Sequence, residues 1–155
     1  MNNKIAIVVT VFILLSIGLC GCDELDLNKP DYINVTVICT AKITLLDVTT
    51  SETSTPSGVI KVNIEIIKAG GERVSQVVLT PESGGETAEV SGTFKLYREQ
   101  PIECIGNAVL SSLEAYSDYT FDSASYTIPW ANFYPAYDFG DSATERIQLH
   151  IQGWK

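Results

Sequence analysis

This chain contains little histidine and lacks the sequence motifs of common metal sites and hydrolases. Its 155 residues include one histidine, His150, so no second histidine is present to share a metal ion. No CxxC or Cys/His spacing of a zinc site occurs, and no GxSxG nucleophile elbow is found. The sequence therefore predicts no metal, no cofactor and no enzymatic activity.

Basic residues are also scarce. Ten Lys and Arg face 19 Asp and Glu, which gives a formal net charge of −9. A nucleic-acid partner would need a basic surface to neutralise phosphates, so the sequence predicts no such partner. An acidic surface keeps an anchored domain soluble and repels anionic headgroups, which would hold the domain off a membrane.

The chain has one long apolar run, which is shorter than a typical membrane-spanning helix. Ile5–Leu19 follows Lys4 and covers 15 residues, whereas a spanning helix needs about 20. The length and the preceding cation are typical of the apolar core of a cleavable export signal. We therefore expect an N-terminal signal helix, and a retained span is the less favoured alternative.

The segment Leu19-Cys20-Gly21-Cys22 resembles the lipobox of prokaryotic lipoproteins. The resemblance implies cleavage after residue 21 and a diacylglyceryl group on Cys22. Residues 22–31 are polar, acidic and interrupted by Pro30, which predicts a short acidic tether. Two acyl chains anchor stably where one does not. Cys20 stands where a small or hydroxylated residue is usual, so Cys20 as acceptor and an ordinary secretory signal are the alternatives. The expected location is extracytoplasmic, with the protein lipid-anchored to a cell membrane.

Residues 32–155 carry the alternation of apolar and polar side chains that is typical of half-buried strands. The weakest strand is 74–80, and a helical interpretation of the end of 102–111 stays open. Turns are expected at Gly70-Gly71 and Gly84-Gly85. With no long amphipathic helix, the pattern predicts one all-β sandwich domain of about seven strands. The predicted strands are 32–46, 59–68, 74–80, 88–98, 102–111 and 144–154.

Two cysteines fall on the inward faces of predicted strands. Cys39 lies on the first strand and Cys104 on the fifth. An exported chain meets conditions that permit disulfides. We therefore expect a Cys39–Cys104 disulfide across the core, with two buried free thiols as the alternative.

The order of these strands resembles bacterial Ig-like modules of the invasin type (group 1). The residues that carry the resemblance are the long strand 35–46, the 60–66 strand running into Gly70-Gly71, the Gly84-Gly85 turn and the strands 94–96 and 102–108. The resemblance implies an Ig-like Greek-key sandwich, used as a spacer or adhesive module at a cell surface. The disulfide candidate, the single copy and a long aromatic tail depart from that family. Antibody-type domains fit less well, because no Trp follows Cys39 at their usual spacing.

Nine aromatic residues crowd into residues 116–139. Aromatic rings offer flat amphipathic surfaces, which suit sugar rings and protein hot spots. The alternative is that most of them fill the core. The irregular segment 129–137 supplies the candidate binding surface: Trp130, Tyr134 and Tyr137. The nine are Tyr116, Tyr119, Phe121, Tyr126, Trp130, Phe133, Tyr134, Tyr137 and Phe139.

The remaining polar candidates are predicted to be solvent-exposed residues rather than parts of a catalytic or metal site. Asp118, Asp122, Asp138 and Asp141 match no EF-hand spacing, so they are expected to form a solvated rim. His150 is expected on the polar face of the last strand. The sequence thus predicts a lipid-anchored, non-enzymatic envelope module that is adhesive or binds a ligand such as an envelope glycan or protein. A structural or accessory subunit of an envelope complex, without a ligand of its own, is the alternative.

Overall fold

The computed structural model describes residues 31–80, 85–98, 100–109, 113–133 and 136–155. The signal segment, Cys20, Cys22 and the tether up to Pro30 lie outside these residues. The described residues form nine strands and two single 3₁₀ turns, at Glu114–Tyr116 and Trp130–Asn132. The strands are β1 Tyr32–Asp47, β2 Glu52–Ser54, β3 Lys61–Lys68, β4 Arg73–Leu79, β5 Val90–Tyr97, β6 Ile102–Ala108, β7 Thr120–Phe121, β8 Ala124–Ile128 and β9 Ser142–Trp154.

The longest strand, β1, alternates along its whole length. Every second residue from Ile33 to Leu45 is buried, and the residues between them are only partly covered. β9 pairs with β1 in parallel from Asn34 to Leu46. On the other side of β1, β5 pairs with its first half and β2 with its last three residues. β1 therefore lies at the centre of its sheet.

Two sheets pack face to face, which confirms the predicted all-β sandwich. The first contains β5, β2, β1, β9 and β7, and the second has the order β4-β3-β6-β8. Immunoglobulin sandwiches place strands B and E together in one sheet and C, F and G side by side in the other. The pairs β1·β5 and β3·β6·β8 reproduce that interlocked order. β9 differs, because it adds to β1 in parallel.

The strand faces largely agree with the predicted alternation, but several bounds differ: β3 begins at Lys61 rather than at residue 59, and β9 begins at Ser142 rather than at residue 144. β5 begins at Val90, and Ala88 is exposed rather than inward. Thr87 turns inward instead, and its hydroxyl accepts a hydrogen bond of 3.0 Å from the Ala41 N–H. β6 ends at Ala108, and β2, β7 and β8 were not predicted. β8 lacks the apolar–polar alternation from which strands are predicted, because Ile128 is its only fully buried side chain.

Glycines shape two of the connections. Gly70 and Gly71 have φ angles of +109° and +99°, so the expected turn forms between β3 and β4. Gly85 serves a different purpose, because its backbone lies against β1 and its carbonyl accepts a 2.7 Å hydrogen bond from the Ile43 N–H. A side chain at Gly85 would collide with the Ile43 backbone. Gly84 lies outside the described residues.

The two cysteines face one another across the core from different sheets. Cys39 lies on β1 and Cys104 on β6, and neither is exposed. The structure holds them as free thiols, so the expected disulfide is not formed in it. A hydrogen bond between the two lowers the pKa of Cys39, while that bond and burial raise the pKa of Cys104. The disulfide stays a prediction for the oxidised protein.

We predict that Cys39 and Cys104 form a disulfide when the exported protein reacts with a thiol–disulfide oxidant. A bond around a loop of about 65 residues would stabilise the domain by roughly 4 kcal/mol on the chain-entropy model. Intact-mass analysis after thiol labelling in denaturant without reductant should find Cys39 and Cys104 unlabelled and the mass lower by two hydrogens. Two labelled thiols in the exported protein would contradict this prediction.

Candidate functional site: the aromatic end of the sandwich

Most of the aromatic residues separate into two clusters at opposite ends of the sandwich, and Tyr126 lies apart from both, opposite Cys104 in the middle of β8. Tyr116, Tyr119 and Phe121 lie beside the C-terminal end of β9, where Phe121 pairs with Gly153. Trp130 and Phe139 lie at the other end, beside the start of β1. Phe121 and Trp130 are nine residues apart in the chain, so the two clusters can lie no more than about 30 Å apart. The predicted aromatic segment is therefore not one surface.

We call the cluster at the start of β1 the aromatic end, and define it by Tyr32, Tyr97, Trp130 and Phe139 with the cations Lys95 and Arg98. Trp130 and Phe139 stack with ring centroids 5.4 Å apart and planes 30° from parallel. The Arg98 guanidinium lies 5.9 Å from the Trp130 ring and 5.3 Å from the Phe139 ring. One cation therefore rests on both rings of the stack, a geometry that favours a cation–π interaction.

A second group of rings adjoins the first. Tyr32 and Tyr97 are directly opposite each other on β1 and β5, with ring centroids 5.6 Å apart. Lys95 Nζ lies 4.4 Å from the Tyr32 ring, and Lys68 Nζ lies 5.4 Å from the Tyr97 ring. Lys68 also forms a 2.9 Å ion pair with Glu72. Within the described residues, neither Lys95 nor Arg98 forms an ion pair.

The connection from β8 to β9 holds Trp130 and Phe139 in place. After the 3₁₀ turn, Phe133 inserts into the core with only 3% of its surface exposed. Gly140 then adopts φ of +89°, and its N–H donates a 2.8 Å hydrogen bond to the Tyr32 carbonyl. The Asn34 N–H donates a 2.8 Å bond to the Asp141 carbonyl. The loop is thus fastened to the start of β1, which brings Phe139 beside Arg98.

An open cavity of about 580 Å³ lies at this end, lined by Asp31, Tyr97, Arg98, Gln100 and Phe139. Two aromatic walls provide flat apolar surface, while a carboxylate, a guanidinium and an amide provide hydrogen-bonding groups. Binding sites for small molecules usually combine apolar walls with a few polar groups in this way. The cavity is therefore the candidate binding site.

The predicted binding residues meet different outcomes. Trp130 is half-buried and packs against the edge of the core, and Tyr137 is 36% exposed with its ring 5.9 Å from that of Phe133. Tyr134 lies outside the described residues. Sequence reasoning missed Tyr32, Tyr97 and Arg98. Tyr97 was correctly expected on the outer face of its strand. The pairing of Tyr32 with Tyr97 could not be predicted, because it depends on the register between β1 and β5.

Other sequence candidates are dispersed. Asp118 and Asp122 lie at the far end and Asp138 and Asp141 at the aromatic end, so the four acids do not come together. In the part of the chain described by the structure, no three His, Cys, Asp or Glu side chains are grouped as metal ligands would be. His150 is exposed on the outer face of β9, opposite Lys42, as expected. None of the helices in the described ranges is sufficiently long and apolar to traverse a bilayer.

The far cluster closes the opposite end of the sandwich. Tyr119 and Phe121 line a second open cavity of about 470 Å³. Lys155 Nζ lies 5.2 Å from the Tyr119 ring and 3.5 Å from an Asp47 carboxylate oxygen. Its hydrogen bond with Tyr119 raises the pKa of Lys155. Lys155 is thus already paired with Asp47, whereas Arg98 at the aromatic end has no ion pair among the described residues.

Comparison with protein-family models, with curated proteins and with solved structures gave no match. The resemblance to invasin-type Ig-like modules therefore remains an interpretation of the sequence. The functional argument depends on the site itself, because a sandwich fold alone does not specify a function.

We predict that Phe133 stabilises the fold and that Trp130 mainly shapes the surface. Phe133→Ala should lower the free energy of unfolding by about 3–5 kcal/mol, as expected for a buried aromatic side chain. Trp130→Ala should cost clearly less, because its ring is only half-buried. Urea denaturation of the two variants measures both losses. An equal or larger loss for Trp130→Ala would make Trp130 a core residue and remove it from the binding surface.

Proposed function

We propose that this chain is a lipid-anchored cell-envelope protein whose Ig-like sandwich is a non-enzymatic, adhesive or ligand-binding module. The aromatic end is its binding surface. The observation that supports this proposal is the open cavity bounded by Tyr97 and Phe139, in which Asp31, Arg98 and Gln100 supply polar groups.

A glycan is the soluble ligand that this combination of groups fits best. A sugar ring presents an apolar face that stacks on aromatic rings and hydroxyl groups that hydrogen-bond with carboxylate, guanidinium and amide groups. Phe139 is 38% exposed, so part of the Trp130·Phe139 stack is open to such a ring. The loop that carries Phe139 is hydrogen-bonded to β1, so the ring stack would lose little conformational entropy on binding.

A structural or accessory role is the second candidate, and β4 favours it. Among the described residues β4 is an edge strand of the second sheet, with β3 as its one partner strand. Val77 and Leu79 on its outer face are 55% and 52% exposed. An edge strand with exposed apolar side chains is suited to pairing with another chain.

The anchor predicts a specific dependence on Cys22. Cys22→Ser should abolish lipid incorporation and release the domain from the membrane fraction, because the sulfur that would be acylated is lost. Cys20→Ser is the matched control and should retain the lipid. Metabolic labelling with a fatty acid in the native cell, followed by membrane fractionation, measures both. Loss of lipid in Cys20→Ser alone would move the acceptor to that residue.

The binding surface predicts a separable loss of ligand. Arg98→Gln and Trp130→Ala should each weaken binding of envelope oligosaccharides at least about tenfold, since single well-placed contacts of this kind contribute 1.4 kcal/mol or more. Gln148→Ala on the outer face of β9 is the control and should bind normally. A glycan array followed by calorimetry provides the measurement. Absence of binding to any envelope glycan or protein would leave the accessory role.

A further inference from the structure

The aromatic end is also the end at which the chain enters the domain. Asp31 lines the cavity and Tyr32 begins β1, so the N-terminal segment leaves the sandwich beside Tyr97 and Phe139. The apolar run Ile5–Leu19 and Cys22 precede this point. The candidate site therefore lies at the membrane-proximal end of the anchored domain.

The length of the tether limits where this end can be. Nine residues, Asp23–Asp31, separate Cys22 from Tyr32. Fully extended, they reach about 30 Å, at up to 3.6 Å per residue. The aromatic end is within reach of the bilayer surface at every extension of the tether. The far end of the sandwich could reach the bilayer only if the domain lay on its side or turned over.

The residue types at this end are those that favour the headgroup layer. Trp and Tyr are enriched where a bilayer meets water, because their rings have an apolar body and a polar edge. The aromatic end presents Trp130, Tyr32 and Tyr97, each of which is partly exposed. Lys95 and Arg98 stand over these rings without a recorded ion pair among the described residues, so their charges are available to phosphate groups.

We infer that the aromatic end docks on the bilayer to which the protein is anchored, with the phospholipid headgroup layer as its partner. This inference rests on the proposed anchor and names the partner of the proposed binding surface. Arg98 and Lys95 pair with lipid phosphates while the Trp130·Phe139 stack enters the interfacial zone. Asp31, Asp138 and Asp141 also lie at this end, so its charge is mixed and suits a zwitterionic phosphatidylcholine layer better than an anionic one.

The two tryptophans provide a matched test, because they lie at opposite ends. Trp130 belongs to the aromatic end, and Trp154 pairs with Leu46 near the end of β1. The full chain, purified with its N-terminal segment, is reconstituted into phosphatidylcholine vesicles with and without brominated acyl chains. Trp154→Phe leaves Trp130 as the reporter, and Trp130→Phe leaves Trp154. Vesicle flotation is measured first, since a chain that does not float has no anchor and the proposed function fails at that step.

For the chain that floats, brominated lipid should reduce Trp130 fluorescence by about half and leave Trp154 fluorescence nearly unchanged. Arg98→Gln and Lys95→Gln should reduce the Trp130 quenching, whereas Lys42→Gln removes the same charge from the middle of β1 and should not. Equal quenching of the two tryptophans, or quenching of neither, would overturn the inference. Oligosaccharide binding by a chain without Trp130 quenching would overturn the docking and retain the proposed binding function.

Discussion

The burial of one face of β1 is the interaction on which the rest of this domain depends. Seven side chains from Ile33 to Leu45 point into the core in strict alternation. A shift of one residue in the pairing of β1 would turn all of them towards solvent, so the register is strongly constrained. β5, β2 and β9 all pair with this strand. Its start carries Tyr32, and its end lies beside the far aromatic cluster.

The register of β1 also assembles the candidate site. Tyr32 meets Tyr97 because β5 pairs antiparallel with the first half of β1. Asp141 and Gly140 bond to the same segment of β1, and this places Phe139 near Arg98. No single element contains the site, which is formed where the starts and ends of four strands meet. Tyr32 and Tyr97 are held by the β1·β5 ladder, whereas Trp130 and Phe139 depend on the few hydrogen bonds that join the β8–β9 connection to β1.

Local alternation explains why much of the fold was predictable. The inward faces of β1, β3, β6 and β9 follow from period-two patterns, and the Gly70-Gly71 turn follows from the freedom of glycine at positive φ. The parallel pairing of β1 with β9 joins residues more than a hundred positions apart and has no local signature. Missing β8 had the largest consequence, because β8 carries the chain from one end of the sandwich to the other. Without β8, residues 116–139 are predicted to form one aromatic surface, whereas β8 separates them into two groups.

The claim that β1 and β9 form the cooperative centre of the domain can be measured by hydrogen exchange of the backbone amides. The structure predicts that amides of β1 and β9 exchange last and together, since their ladder is the longest and lies in the interior of the sheet. Amides of 136–141 should exchange much earlier, apart from Gly140, which is bonded to Tyr32. Exchange of β9 well before β1 would contradict the account, because β9 would then be an addition to a core formed without it.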